Sequence, residues 1–224
     1  QIKVPLLIGG NNLEANAMYI LGGRPATVEN LKAAARNIFG DATDELFKLY
    51  GLNTDADVTG QPGNELGGDC FLDYSTWKWG NMHKLTSGQP VYRYRYCHPR
   101  PDMLLKDKVA GLAGGVQDKT DDTPAAPRAT GAVHSADIEY AMGTLPTNRV
   151  FDWQPEDYVV SDIFSNYYVN FVKTGNPNGL GLVDWPTTNG KSVAPVLQID
   201  VNTFVKEDPN MEKRYELMDK LFWK

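Results

Sequence analysis

No apolar run in the 224 residues approaches the roughly 18 needed to cross a bilayer; the longest near the start, Val4 to Ile8, is broken by Pro5. No charged-then-apolar leader precedes it at Gln1, so the expectation is that any targeting segment was removed or lies outside this piece. Histidine and cysteine are scarce. Three histidines (His83, His98, His134) without ligand spacing and two cysteines (Cys70, Cys97) cannot make a structural zinc set, so no metal and no cofactor is indicated. Positive charge is in deficit, 22 Lys and Arg against 28 Asp and Glu for a net −6, which is the wrong sign for phosphate binding and argues against a nucleic-acid partner. The acidic residues are scattered. Their densest group, Asp118, Asp121 and Asp122, reads as a solvated loop in preference to a calcium site.

What is present suits a folded chain: 42% hydrophobic and 22% charged residues suffice for one substantial core and exclude disorder and coiled coil. Val4 to Ile8 reads as a strand covered on both faces, ending in the turn cluster Gly9-Gly10-Asn11-Asn12. Thr27 caps a helix with Val28, Leu31, Ala35 and Ile38 on one face and Gly40 as its stop; Asp41 caps another through Tyr50. A Gly-rich loop is expected from Asn53 to Gly68, then a helix around Cys70 to Lys84, with His83 at its end on the surface. Val91 to Tyr96 alternates strictly and predicts a strand with one aromatic and one basic face. Residues 99–130, rich in Pro, Gly, Ala, Lys and Asp, form a long loop insertion. Pro155 opens the clearest helix, running to Lys173, and Pro195 to Val201 and Met211 to Phe222 supply a last strand and helix. Alternating strands and helices give an α/β class with a mostly parallel sheet, of which only three strands are visible.

Three segments then carry a resemblance. Val4-Pro5-Leu6-Leu7-Ile8-Gly9-Gly10-Asn11-Asn12-Leu13-Glu14-Ala15 is similar to a strand followed by an Asp-Glu-Gly turn, with Leu13 and Ala15 in place of the Asp and Gly. Gly131-Ala132-Val133-His134-Ser135-Ala136-Asp137-Ile138-Glu139-Tyr140-Ala141-Met142-Gly143 is similar to a Gly-x-x-His-x-x-Glu signature, with the shorter Asp137 at its acidic position. Phe171 to Asn178, through Thr174-Gly175-Asn176-Pro177, precedes Trp185-Pro186 as in the third block. In this order they resemble the C-terminal half of the type B carboxylesterases, the cholinesterase-like and para-nitrobenzyl-esterase-like branch of the α/β-hydrolases.

The resemblance implies a partial α/β-hydrolase fold over residues 1–224 and an acid and a base for a serine esterase, Glu14 and His134, with Asp137 supporting them. The chemistry also needs a nucleophile on a Gly-x-Ser-x-Gly turn. The six serines, Ser75, Ser87, Ser135, Ser161, Ser165 and Ser192, all lack that setting, and no His-Gly-Gly-Gly-like oxyanion loop is seen; Gly114-Gly115 is a poor substitute. The implied partners are therefore a small carboxylic ester and an N-terminal half of the same protein, whether continuous with this chain or split from it, and the chain alone is expected to be inactive. A non-catalytic adhesion relative is the competing expectation, against which retention of Glu14 and His134 speaks. Cys70, before a helix, and Cys97, after the next strand, are placed either to pair across one sheet edge or to remain buried thiols; pairing would go with a periplasmic or secreted compartment.

Overall fold

The computed structural model describes residues 1–111, 115–120 and 129–223. In chain order the strands are β1 (Leu6–Asn11), β2 (Val91–Tyr96), a small antiparallel pair β3 (Lys108–Ala110) and β4 (Val116–Asp118), β5 (Pro195–Ile199) and β6 (Phe204–Glu207). One sheet has the order β1-β2-β5-β6. β1, β2 and β5 are parallel, with Leu6 opposite Val91 and Arg93 opposite Val196, and β6 turns back antiparallel on β5. The sequence reading missed β6, whose Phe204 to Glu207 stretch is too short and too polar to carry an apolar alternation.

The helices are α1 (Met18–Leu21), α2 (Val28–Phe39), α3 (Thr43–Tyr50), α4 (Asp55–Thr59), α5 (Gln61–Gly68), α6 (Tyr74–Ser87), α7 (Ile138–Ala141), α8 (Pro155–Thr174) and α9 (Pro209–Phe222). Thr27 accepts from the Asn30 amide at 3.2 Å and starts α2 as its sequence suggests. Asp41, by contrast, lies in a single 3-10 turn, Gly40–Ala42, and caps nothing. The expected loop at Asn53 to Gly68 is two short helices, because Thr54 and Asp57 bond each other's backbone in a capping box and Pro62 stands in the first turn of α5. A wide π turn, Asp69–Asp73, joins α5 to α6.

Alternation along β2 divides the molecule. Tyr92, Tyr94 and Tyr96 face one core with Phe164 and Tyr167 of α8, Tyr140 of α7, and Trp185, whose indole donates to Arg93 O at 2.9 Å. Arg93 and Arg95 sit on the opposite side, where Arg93 pairs with Glu212 of α9 at 3.8 Å and Arg95 with Asp73 at 3.4 Å. That side holds the larger core, built by α2, α3, α5, α6 and α9 around Leu31, Leu46, Leu66, Trp77 and Tyr215.

Three expectations need correction. The first strand starts two residues later than read and runs through Gly9 and Gly10 to Asn11, and it is only partly covered, being paired on one side alone among the described residues. His83 is buried, its ring held between Gln1 Oε1 at 2.6 Å and Val4 O at 2.8 Å. Within 99–130 the β3–β4 pair gives structure to part of what was read as loop; Gly114, Asp121, Asp122 and Arg128 lie outside the described residues. No helix of the described residues is long and apolar enough to cross a membrane.

Candidate active site

Parallel pairing of β1 with β2 carries both strand ends to one edge of the sheet, and the segments leaving them meet there. Asn12 donates its amide to Tyr96 O at 2.9 Å, and its side-chain oxygen accepts from Ala132 N at 2.7 Å. Leu13 then makes an isolated parallel bridge with Val133. A Cβ on Gly131 would stand 2.5 Å from Asn12 Oδ1, so any other residue there would push the Asn12 side chain off its bond to Ala132 N. The bridge brings Glu14 beside His134 across 120 residues of chain.

His134 Nδ1 stands 2.5 Å from Glu14 Oε2, and the second carboxylate oxygen accepts the Asn11 amide at 2.6 Å. With both oxygens engaged, Glu14 is fixed and buried. A carboxylate there accepts, so in the neutral ring this contact places the proton on Nδ1 and leaves the lone pair on Nε2. The His134 side chain keeps 28% of its surface, against 3% for Glu14, and its ring packs edge-on to Phe71 at 5.2 Å. A tautomer-fixed, partly exposed imidazole backed by a buried acid can take a proton from a hydroxyl and return it.

Backbone strain helps to present the ring. Ser135 has φ 65°, the one positive value outside glycine among the described residues. Its carbonyl accepts from Arg100 Nη2 at 2.5 Å, and the same guanidinium pairs with Glu139 at 2.6 Å and covers the Phe151 ring. Asp137 does not touch His134 or Glu14 through any hydrogen bond of the structure. It accepts from Asn11 Nδ2 at 3.2 Å and from Tyr94 OH at 3.3 Å, joining the ends of β1 and β2 from below. Asn11 also donates Nδ2 to Val133 O at 2.8 Å.

A carboxylesterase family model matches residues 2–223. The chain belongs to the carboxylesterase family. Among curated relatives, carboxylesterase 4A of Bos taurus is 28% identical over 216 residues, covering 90% of this chain and 34% of that protein. An acylcarnitine hydrolase of Mus musculus is 25% identical with the same coverages. The chain thus spans about a third of the length of these relatives. Among solved structures, a thermophilic PNB esterase superposes with a TM-score of 0.59 at 19% identity, over 96% of this chain and 38% of that one. A second PNB esterase gives 0.58 at 20% over 95% and 38%. These likenesses show a partial α/β-hydrolase fold.

The carboxylesterase-family motifs pointed to Glu14, His134 and Asp137; Asn11, Phe71 and Arg100 were missed. Asn11 reads as a turn residue, and the signal for its role is its place three positions before a carboxylate that its own amide can reach. Arg100 carries no motif. Of the two arrangements open to Cys70 and Cys97, the structure has the unpaired one: both are free. Cys70 packs against the larger core, where burial pushes its thiol up to about 12, while Cys97 turns its sulfur toward Arg95 O and Gln198 Oε1, with burial raising it to about 11. Thiols this protonated are poor nucleophiles. Among the described residues no group of three His, Cys, Asp or Glu could hold a metal ion.

Proposed function

We propose that this chain supplies the acid and the base of a serine carboxylic ester hydrolase, with Glu14 as acid and His134 as base. The observation that carries the reading is the Glu14–His134 hydrogen bond, with Nε2 left for a hydroxyl donor. In that reaction His134 takes the serine proton as the hydroxyl attacks the ester carbonyl. It then returns the proton to the leaving alcohol, and the cycle repeats with water. Glu14 keeps the tautomer fixed and offsets the imidazolium charge while it exists. Asp137 acts at one remove, by holding Asn11, whose amide fixes Glu14.

The serine and the oxyanion donors would come from an N-terminal half of the same protein. Two surfaces support this. β1 has no strand on its outer side among the described residues, and the helix packed on it, α6, exposes Trp79, Met82 and Leu85 at i, i+3 and i+6. Residues 4–8 and this stripe would be covered by the other half.

The test compares the 224-residue chain with the longer protein that contains it. The longer protein is expected to hydrolyse short-chain nitrophenyl esters and to be labelled at serine by a fluorophosphonate; the 224 residues alone should do neither. Hydrolysis by the short chain, or none by the long one, overturns the proposal, and the second outcome favours an adhesion or binding role.

A further inference from the structure

Behind the acid lies a second carboxylate that the reaction above does not use. Asp73, the last residue of the π turn, is buried, and its side-chain partner is Arg95, whose Nη2 stands 3.4 Å from Oδ2. Gly10, in β1, has no side chain. A Cβ there would stand 2.9 Å from Asp73 Oδ1 and 3.1 Å from Glu14 Oε1, so both carboxylates close over the same backbone position. The charged and titratable groups facing Asp73 come from four sides: Glu14 after β1, Arg93 and Arg95 from β2, Asp69 from its own turn, and Tyr215 from α9.

A buried acid that faces the Glu14 carboxylate over one backbone position, with one long bond to a cation, is disfavoured in its ionised form. Burial first, then the charges of Asp69 and Glu14, lift Asp73 to about 7 against the pull of Arg95 and Arg93. Glu14 is held by two short bonds of its own and Asp73 by one long one, so Asp73 is the member that yields its charge.

Resting on the assignment of Glu14 and His134 as acid and base, we propose that Asp73 is a positioning residue of that pair: sharing the space over Gly10, its carboxyl group sets by its charge how strongly Glu14 supports His134 as a base. With Asp73 ionised, its field adds to that of Glu14 and the imidazolium is favoured. With Asp73 neutral, Glu14 acts alone and the imidazole releases its proton more readily. The two titrations are coupled, so the acidic limb of activity is broader than that of a single group.

The experiment uses the full-length enzyme and follows kcat/KM for a neutral nitrophenyl ester from pH 5 to 9. Asp73→Asn is expected to retain turnover, narrow the acidic limb and move it to lower pH by about half a unit to one unit. Asp73→Ser removes the same charge with less bulk and must move the limb in the same direction, so it decides the matter where the Asn variant does not fold. A wild-type limb in either folded variant overturns the proposal. Glu14→Gln and His134→Ala in parallel separate the two ideas. If they abolish turnover and the Asp73 limb stays put, only the role of Asp73 fails; if they leave turnover intact, the acid and base assignment fails.

Discussion

Glu14 and Asn11 form a closed local unit: the Asn11 amide donates to Glu14 Oε1 at 2.6 Å, within one turn of the strand end, while Oε2 is 2.5 Å from His134 Nδ1. One carboxylate oxygen is thus spent on backbone and the other on the imidazole, which leaves Glu14 one orientation. Glu14→Gln has one oxygen for two places: kept on the Asn11 amide it turns its NH2 toward His134 Nδ1, and turned to His134 it sets its NH2 against the Asn11 N–H. In the full-length enzyme kcat is expected to fall by about two to four orders of magnitude with KM nearly unchanged, because tautomer and charge support are lost while the pocket is not. Steady-state kinetics on a nitrophenyl ester measures it; a loss confined to KM would contradict the role.

Arg100 is the support that a motif reading could not find. Its side chain is 7% exposed, and it holds the strained Ser135 carbonyl and Glu139 together. Arg100→Met removes both bonds and leaves Glu139 uncompensated in a half-buried site. The expected cost is about 2–4 kcal/mol in urea unfolding, with a lowered kcat in the full-length enzyme because the turn presenting His134 loosens. Unchanged stability would mean that the turn is held by its neighbours alone.

The legible parts of the chain were those with strong local signals. β2 and α8 match their patterns because the Val91 to Tyr96 alternation sends the tyrosines to one core and the arginines to the other side, and Pro155 stands in the first turn of α8. β1 was misplaced because Gly9 and Gly10 look like a turn, yet Gly10 lies in the strand where two carboxylates need room above it. Gly-rich Asn53 to Gly68 failed for the same reason: the Thr54 capping box overrides the composition. The Glu14–His134 contact was legible through flanking residues, whereas Arg100 stands 35 positions from Ser135 and Asp73 59 positions from Glu14, and single-sequence spacing holds no trace of either approach.

Trp185 fixes the third motif block. It is fully buried, donates to Arg93 O at 2.9 Å, and stands edge-on to Tyr92, Tyr94 and Tyr167, while Asn178 accepts its amide at 2.6 Å and donates to its carbonyl at 3.0 Å. Trp185→Ala opens a cavity and strips a hydrogen bond from the centre of β2. The expected loss is about 3–5 kcal/mol by urea unfolding, with Trp185→Phe losing less because the ring contacts survive and only the indole bond goes. Equal losses for the two variants would assign the whole effect to that bond.

His98 gives the chain a pH-dependent clasp away from the acid and base. Its ring bridges Asp200 at 2.9 Å and Asp157 at 3.0 Å, tying the end of β2 to the end of β5 and to the start of α8. Burial opposes the imidazolium, but hydrogen bonds to the two carboxylates outweigh it and hold His98 above its ordinary value. A group raised in the folded state adds stability that is complete below its unfolded value near 6.5 and is lost as pH rises through the folded one. Wild-type Tm should therefore fall, relative to His98→Gln, between pH 6 and 9: the variant is expected to be less stable at pH 6 and to converge with wild type at pH 9. Asp73 is present in both proteins and cancels from this difference. A gap between the two melting curves that stays constant with pH would show that His98 holds the clasp as a neutral ring.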